Sequence, residues 1–304
     1  MKLRHWVALA MAAFLQFFLV SAAYSACGKK VLCSLSGNNG GTYYFSVPDD
    51  FEHSKAKKAF LFFHGHNGSG RGVIGNKGLV RQLHEAGYVV IAPDGPLFTF
   101  NGRSARGWAA RPEGTSPRGK RNDIAFVERV LGDVARKTGI APGDTVVSGF
   151  SSGGSMAWYF SCYSKMKLAG VIAVAGGLRR PLPDGGVPQL DGSIAKKCPA
   201  GPRRVIHIHG FSDRQVPLEG RGIRAWHQGD VFEGLAVQRH SNQCQSRPDK
   251  MKITSNYWCR DWLKCKSKKT IRLCLHAGGH GMPKGWLDLG LDWLKPSASR
   301  QSGD

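Results

Sequence analysis

The residues with the greatest capacity for chemistry are a serine in a glycine-rich turn and, later in the chain, an aspartate and two histidines. The turn Gly149-Phe150-Ser151-Ser152-Gly153 has the spacing G-x-S-x-G. Such a turn holds a serine on a strained backbone between a strand and a helix, with its hydroxyl exposed for nucleophilic attack. A bare G-x-S-x-G also occurs in ordinary turns. Here a predicted strand precedes it, a predicted helix follows, and suitable partners come later in the chain.

A serine nucleophile needs a base, and the base needs an acid that orients it. After a nucleophile elbow the acid comes next along the chain and the histidine comes last. We predict that Asp213, in the loop after a late apolar run, is the acid. Asp184 and Asp191 lie in a Pro- and Gly-rich loop and are interpreted as turn residues. His280, beyond two glycines, is preferred as the base over His276, which directly abuts the last predicted strand.

Backbone N–H groups would have to stabilise the oxyanion of a tetrahedral intermediate. One is predicted to be the N–H of Ser152, directly after the nucleophile. The other is predicted in the glycine-rich loop 64–70, where the N–H of His66 is our choice.

Two His-x-His pairs, His64/His66 and His207/His209, raise the alternative of a metal site. Residues two apart in a strand share a face, so such a pair can bind zinc. No Asp, Glu or Cys at a suitable spacing joins either pair. We therefore interpret these histidines as strand-end residues that pack beneath the site, and predict neither metal nor cofactor.

The scaffold for these residues is predicted from apolar runs that alternate with amphipathic segments. Strands are predicted at 41–47, 59–63, 88–92, 145–147, 168–174, 205–209 and 271–275. Helices are predicted at 124–134 (with Asn122 or Asp123 as N-cap), 230–241 and 284–294, the last with Trp286, Leu289 and Trp293 as its buried stripe. This alternation indicates a mostly parallel sheet covered by helices, with the site at its carboxyl edge.

The first 26 residues have the layout of a secretory signal peptide. Lys2 and Arg4 precede an apolar run at 6–20, and small residues follow. A membrane anchor is the alternative, but 15 helical residues span roughly 22 Å, short of the ~30 Å hydrocarbon core. Lipidation at Cys27 lacks the usual aliphatic residue before it. We predict a signal peptide at 1–26, one domain at 27–296 and a polar tail at 297–304, with no transmembrane segment after cleavage.

The chain contains eight cysteines, an even number that predicts four disulfides in an exported protein. Cys27 and Cys33 bracket a short turn and are expected to pair. Cys162 is expected to pair with Cys198. For Cys244, Cys259, Cys265 and Cys274 all three connectivities remain open.

Taken together, the motifs resemble the secreted polyhydroxybutyrate depolymerase family, which is similar to feruloyl and acetylxylan esterases. The resemblance covers roughly residues 41–295 in order. It rests on Phe62-Phe63-His64-Gly65, the Ser151 turn, His209-Gly210-x-x-Asp213-x-x-Val216-Pro217 and Gly278-Gly279-His280. It implies an α/β-hydrolase fold, no cofactor, and a secreted serine ester hydrolase with Ser151, Asp213 and His280 as its triad.

The chain departs from that family at the substrate pocket. His66 replaces a Cys or another small residue, and Gly281-Met282-Pro283 follows the base in place of Thr-Trp-Pro. No linker or second domain of the kind that adheres to solid polyester is recognised. Soluble short-chain or oligomeric esters, or feruloyl- or acetyl-decorated sugars, are therefore the expected substrates.

Composition permits a large core and leaves one further function class open. Of the 304 residues, 41% are hydrophobic, which excludes a disordered chain, and the net charge is +22. The charge suits an anionic polymer or surface, or simple colloidal repulsion. Aromatic residues do not interleave with the basic clusters, so specific nucleic-acid binding is not predicted. The alternative is a surface-binding protein on a hydrolase scaffold. Its basic clusters are Arg103, Arg106, Arg111, Arg118, Lys120 and Arg121, and Lys264, Lys266, Lys268 and Lys269.

Overall fold

The computed structural model describes residues 29–51, 56–100, 103–110, 121–181, 187–188, 194–195, 197–223 and 226–295. The predicted signal peptide, the polar tail and Cys27 lie outside these residues, as do Asp184, Asp191, Arg111, Arg118 and Lys120.

Ten strands form one sheet in the described part of the chain. In chain order they are Lys29–Leu35 (β1), Gly41–Ser46 (β2), Lys58–Phe63 (β3), Tyr88–Pro93 (β4), Thr145–Phe150 (β5), Gly170–Val174 (β6), Val205–Gly210 (β7), Lys250–Ile253 (β8), Trp258–Trp262 (β9) and Ile271–His276 (β10). A separate hairpin pairs Leu97–Phe100 with Arg103–Arg106. Two-residue strands at Arg180–Pro181, Val187–Pro188, Ile194–Ala195, Gly222–Ile223 and Trp226–His227 form two smaller sheets.

The strand order in the large sheet is β1-β2-β4-β3-β5-β6-β7-β10-β9-β8. The six central strands from β4 to β10 are parallel, and the two outer strands at each edge are antiparallel. In the register of β7 against β10, Gly210 pairs with His276. Because the two strands end side by side, the loops that carry Asp213 and His280 leave the same edge of the sheet.

Six α-helices within the described residues cover both faces of the sheet. They are Gly70–Gly75 (α1), Lys77–Glu85 (α2), Asp123–Thr138 (α3), Ser152–Tyr163 (α4), Val231–Asn242 (α5) and Trp286–Leu294 (α6). One apolar core contains residues of α3, α4 and α5, and the other contains residues of α1, α2 and α6. Strands β4 and β7 are buried at every position, as expected for parallel strands between two helical layers.

Helix boundaries follow the capping residues in the sequence. Asn122, rather than Asp123, caps α3 by accepting the N–H of Ala125 at 3.0 Å. Asp230 caps α5 by accepting two backbone N–H groups, so the helix begins one residue later than predicted. Gly285, with φ of +76°, delays α6 to Trp286.

The edge strands β1, β8 and β9 and the first two helices are absent from the sequence-based prediction, whereas β2 corresponds to the strand predicted at 41–47. Strand β8 is exposed at all four positions, and β9 alternates between exposed and buried residues. Edge strands of this kind lack the continuous apolar run that marks a buried parallel strand. The predicted stripe of α6 also needs correction. Trp286 and Trp293 are buried but Leu289 is only partly so, and Leu287 and Leu291 complete the face.

Three disulfide bonds join cysteines within the described residues. Cys162 pairs with Cys198, the pairing expected from the sequence. The four cysteines whose connectivity the sequence leaves open pair as Cys244–Cys265 and Cys259–Cys274. The second of these bonds joins the neighbouring strands β9 and β10. Cys33 is also disulfide-bonded, and its expected partner Cys27 lies outside the described residues. Disulfides of this number are typical of proteins in an oxidising compartment.

None of the helices among the described residues has the length and apolar character that a membrane crossing requires.

Candidate active site

Ser151 occupies the sharp turn between β5 and α4. Its φ of +57° and ψ of −121° lie outside the ordinary regions for a residue with a side chain. The turn is possible because Gly149 and Gly153 come into close contact. A Cβ at Gly149 would collide with the Gly153 backbone, and one at Gly153 would collide with the carbonyl oxygen of Phe63. These glycines let the helix begin directly against the sheet, as a nucleophile elbow requires.

Asp213 lies in the loop after β7, with its side chain buried. Its Oδ1 accepts the backbone N–H groups of Gln215 at 2.9 Å and Val216 at 2.8 Å. These two bonds leave Oδ2 for another partner. The short loop therefore fixes both the position and the rotation of the carboxylate.

His280 connects this carboxylate to the serine. Its Nδ1 lies 2.7 Å from Asp213 Oδ2, and its Nε2 lies 2.9 Å from Ser151 Oγ. A carboxylate accepts hydrogen bonds, so the imidazole proton is on Nδ1 and the lone pair of Nε2 faces the serine hydroxyl. Phe150 packs against the imidazole with a ring-centroid distance of 4.9 Å and an angle of 39° between the ring planes. The structure thus brings together the three residues that the sequence predicted as a unit.

His276, the rival base, lies at the end of β10 and takes no part in this chain of hydrogen bonds. Its Nδ1 accepts the backbone N–H of Gly278 at 3.1 Å. Burial lowers its pKa, although the nearby Asp213 acts in the opposite direction. The two glycines that follow it allow the chain to turn back, so His280 rather than His276 reaches the serine.

One predicted oxyanion donor follows Ser151 directly in the chain, and the other belongs to the residue after Gly65. Ser152 is the first residue of α4, where a backbone N–H has no acceptor within the helix. Gly65 packs against the elbow: a Cβ atom added at this glycine would lie 3.7 Å from the Cβ of Ser151. The next residue, His66, is exposed, and its ring centroid lies 6.0 Å from that of Phe98 on the hairpin.

The oxyanion loop is anchored by the buried residue His64. Its Nε2 accepts the backbone N–H of Gly95 at 3.0 Å, and its Nδ1 lies 2.7 Å from the carbonyl oxygen of Gly65. The indole N–H of Trp108 donates to the carbonyl oxygen of His64 at 2.9 Å. Burial lowers the pKa of His64, so the neutral ring carries its proton on Nδ1. The carbonyl oxygen and both ring nitrogens of His64 therefore hold the loop in place.

The second His-x-His pair lies entirely within β7 and beneath the acid loop. His207 Nε2 is 2.9 Å from His209 Nδ1, and both residues are fully buried. Trp158 donates to the other nitrogen of His207 at 3.0 Å. Burial lowers the pKa of both histidines, that of His207 most strongly. No group of three or more potential metal ligands occurs within the described residues.

Two members of the first basic cluster, Arg106 and Arg121, are bound to neighbouring loops rather than free in solvent. Arg121 is largely buried and forms an ion pair with Asp123 at 2.6 Å. It also donates to the carbonyl oxygen of Asp94 at 2.9 Å, while Arg106 donates to that of Gly95 at 3.0 Å. Among the described members, these cations thus brace the loops beside the site. The second cluster is exposed but precedes β10, at the end of the sheet remote from His276.

Sequence reasoning missed three aromatic residues that hold the site: Phe150, Trp108 and Trp158. Trp158 lies seven residues after Ser151 on the apolar helix α4. A buried indole N–H needs an acceptor, and this requirement was the available signal. Phe150 occupies the variable position of G-x-S-x-G, and the spacing alone gives no indication that it contacts the histidine.

With this geometry established, comparison with known families is informative. Residues 51–225 match the phospholipase/carboxylesterase family, and because this is more than half of the chain, the chain belongs to that family. Membership indicates a carboxylic ester hydrolase. The matched region includes Ser151 and Asp213 and ends before His280.

Individual relatives are more distant. A protein of Aspergillus niger named "Probable feruloyl esterase C" is 24% identical over 257 residues, covering 81% of this chain and 79% of its own length. Feruloyl esterase C of Emericella nidulans is 25% identical over 218 residues, covering 68% of this chain and 69% of its own. The polyhydroxybutyrate depolymerase group expected from the motifs is not singled out by these matches.

Among solved structures, an acetyl xylan esterase from Aspergillus awamori aligns with a TM-score of 0.60. The alignment covers 87% of this chain and 98% of that chain at 16% sequence identity. At this identity the likeness concerns the fold. It agrees with the sheet order and the elbow in identifying an α/β-hydrolase fold.

Proposed function

We propose that this protein is an exported serine carboxylic ester hydrolase in which Ser151, His280 and Asp213 form the catalytic triad. The observation that carries the proposal is the continuous hydrogen-bonded chain from Ser151 Oγ through both nitrogens of His280 to Asp213 Oδ2. It lies at the carboxyl edge of the sheet, where ligand sites of open α/β sheets occur.

In the proposed reaction, Ser151 Oγ attacks the ester carbonyl carbon while His280 Nε2 takes the hydroxyl proton. Asp213 holds the imidazole in the required tautomer and stabilises the imidazolium that forms. The imidazolium then donates that proton to the leaving alcohol, which leaves an acyl-enzyme. A water molecule activated by the same nitrogen hydrolyses the acyl-enzyme and restores the serine.

Stabilisation of the oxyanion is assigned to the backbone N–H groups of His66 and Ser152. Supporting this, neighbouring donors of the loop are already engaged: the N–H of Asn67 donates to Arg106 and that of Gly68 donates to Gly65. No backbone hydrogen bond from His66 N–H occurs within the described residues. A donor that makes no backbone hydrogen bond among the described residues is available to a developing negative oxygen.

For the substrate, we propose esters of carbohydrate with an aromatic or acetyl acid. The relatives carry the names of feruloyl and acetyl xylan esterases. Exposed apolar side chains occur on the segments around the site: Leu97 on the hairpin that contacts His66, Phe211 before Asp213, and Met282 after His280. Such a rim favours an aromatic acyl group over a small charged one. Oligomers of hydroxybutyrate, suggested by the motif resemblance, are the alternative substrate.

The proposed location is outside the cytoplasm. The disulfides and the predicted signal peptide at 1–26 support export. Attachment of the positive surface to an anionic polymer remains a separate prediction from the sequence.

A substrate panel tests the proposal. Purified wild-type protein is assayed on methyl ferulate, acetylated xylan, p-nitrophenyl acetate and hydroxybutyrate oligomers, with Ser151→Ala as the matched control. We expect the highest kcat/KM on a feruloyl or acetyl ester and a loss on the order of 10⁴–10⁶ in kcat for Ser151→Ala. Preference for hydroxybutyrate oligomers would overturn the substrate assignment alone. Full activity in Ser151→Ala would overturn the mechanism.

A further inference from the structure

A line of buried side chains connects α4 with the loop after β7. The Trp158 indole N–H donates to His207 Nδ1 at 3.0 Å, and His207 Nε2 lies 2.9 Å from His209 Nδ1. His209 Nε2 then lies 2.7 Å from the carbonyl oxygen of Val216. The three ring-bearing residues are at most 1% exposed. Such a line of polar groups in a dry core needs every donor matched to an acceptor.

The chemistry of its two ends fixes the direction of the whole line. An indole N–H can only donate and a backbone carbonyl can only accept. His207 therefore accepts on Nδ1 and donates from Nε2, and His209 does the same. If either ring adopted the other tautomer, two N–H groups or two lone pairs would face each other. Burial lowers the pKa of both rings, which keeps them in the neutral form that this pattern needs.

The line ends on the groups that hold the catalytic carboxylate. Val216, whose carbonyl accepts from His209, donates its own N–H to Asp213 Oδ1 at 2.8 Å. His209 Nε2 also lies 3.5 Å from Asp213 Oδ2, the oxygen that contacts His280. The imidazole of His209 is thus linked to Oδ1 of Asp213 through Val216 and lies close to Oδ2.

We propose that His209, oriented by His207 and Trp158, is a positioning residue that fixes Asp213 for catalysis. The proposal rests on the proposed function, because it concerns the same triad. Trp158 is part of the helix that begins directly after Ser151, so the line links the nucleophile's helix to the acid's loop. Displacing a catalytic group by about 1 Å can cost on the order of 10²-fold in rate, which sets the expected effect.

A purely structural role would give a different result. Buried polar residues held only for packing would lose stability on substitution, but substrate turnover by the folded protein would be unchanged. The substitution His209→Gln separates the two roles, because a glutamine amide N–H can replace Nε2–H as the donor to Val216. The substitution His209→Leu fills a similar space but provides no donor. Trp158→Phe removes the first donor of the line and keeps an aromatic ring.

The experiment measures three properties of the full chain and these variants: kcat and KM on p-nitrophenyl acetate, the thermal midpoint, and the downfield imidazole N–H proton resonance. The resonance is assigned to His280 by its absence in His280→Ala. We expect His209→Leu to lower kcat about 10²-fold with KM nearly unchanged, and to shift or broaden the resonance. His209→Gln should stay within about fivefold of wild type, and Trp158→Phe should fall between them.

Wild-type kcat and an unchanged resonance in His209→Leu would overturn the proposal. It would also be overturned if His209→Gln lost as much activity as His209→Leu. Should His209→Leu fail to fold, the comparison of Trp158→Phe and His209→Gln with wild type decides, and two wild-type-like variants reject the positioning role. Absence of any ester hydrolysis by wild type would reject the proposed function, whereas the resonance would still report whether the line orients Asp213 and His280.

Discussion

The two His-x-His pairs have the same spacing in the sequence but play different parts in the structure. His207 and His209 both lie in β7, share one face and are both buried, with their protons on Nε2. His64 lies just after β3 and is buried with its proton on Nδ1, whereas His66 lies in a turn and is exposed. The period of two holds only within a strand, so the spacing alone cannot define a shared face once the strand has ended.

The difference extends to how each side of the site is held. On the acid side, the working groups are side chains, and Asp213 holds His280. The backbone N–H of Val216 holds Asp213, and the imidazole of His209 contacts the carbonyl oxygen of Val216. On the oxyanion side, the buried side chain of His64 positions backbone groups, and the working donors are expected to be main-chain N–H groups. Substitutions should therefore affect the acid side strongly, and the oxyanion side only where they move the backbone.

The largest expected effect is the loss of the base on the acid side. His280→Ala removes the group that takes the proton of Ser151, so kcat should fall on the order of 10⁴–10⁶-fold. Ser151→Ala combined with His280→Ala should be hardly worse than either single variant, since residues that act as one unit are not additive. Steady-state kinetics on p-nitrophenyl acetate measure both.

His276→Ala is the matched control for this prediction. His276 is four residues away in the same segment, but among the described residues its ring hydrogen-bonds only to the N–H of Gly278. Most of the activity should remain. An inactive His276→Ala together with an active His280→Ala would reject our choice of base and leave the fold intact.

The next largest effect concerns stability at acid pH, where the two sides should behave alike. Burial lowers the pKa of His64, His207 and His209 in the folded state. The unfolded chain binds protons near pH 6.5, so it is favoured as the pH falls below that value. The stability that comes from keeping these histidines neutral is fully present above pH ~6.5, and it is lost as the pH falls towards their lowered folded-state pKa values.

The size follows from the number of histidines that stay neutral. When the pH is lowered from about 7.5 to 5.5, each of these histidines should reduce the free energy of unfolding by up to about 1.4 kcal/mol. Urea unfolding at the two pH values measures the change. In His64→Leu, the change in unfolding free energy between the two pH values should be smaller by the contribution of one histidine. A flat profile in the wild type would show that these histidines are charged in the fold.

How far the sequence could predict this site depends on the kind of interaction. Ser151, Asp213 and His280 could be predicted because each follows a strand, and strand ends of a parallel sheet meet at one edge. The Trp158 hydrogen bond to His207 could not, since it joins residues 49 positions apart through side-chain directions that no local pattern encodes. The same applies to Arg121, whose place in a basic run concealed its buried ion pair with Asp123.

A smaller effect is expected from the buried histidine of the oxyanion side. His64→Leu leaves the N–H of Gly95 without its acceptor in a buried position, which costs about 1–3 kcal/mol of stability. The loop should shift, and kcat should fall roughly tenfold because only backbone placement is disturbed. In His64→Gln, the side-chain oxygen can accept from Gly95, so part of the loss should be restored. Equal losses in both variants would contradict this role for the Nε2 atom.

The smallest effect should come from the exposed histidine of the same pair. His66→Ala removes an imidazole near Phe98 but keeps the backbone N–H assigned to the oxyanion. For p-nitrophenyl acetate, kcat should stay within about threefold of wild type, because ring contacts contribute equally before and during the reaction. For methyl ferulate, KM should rise, since the ring borders the proposed acyl site.

His66→Pro is the decisive counterpart, because proline has no N–H. If that N–H stabilises the oxyanion, this variant should lose on the order of 10²–10³ in kcat. A folded His66→Pro with wild-type kcat would instead place the second donor elsewhere in the loop, and His66→Ala with a large loss in kcat would show that the imidazole itself takes part in the reaction.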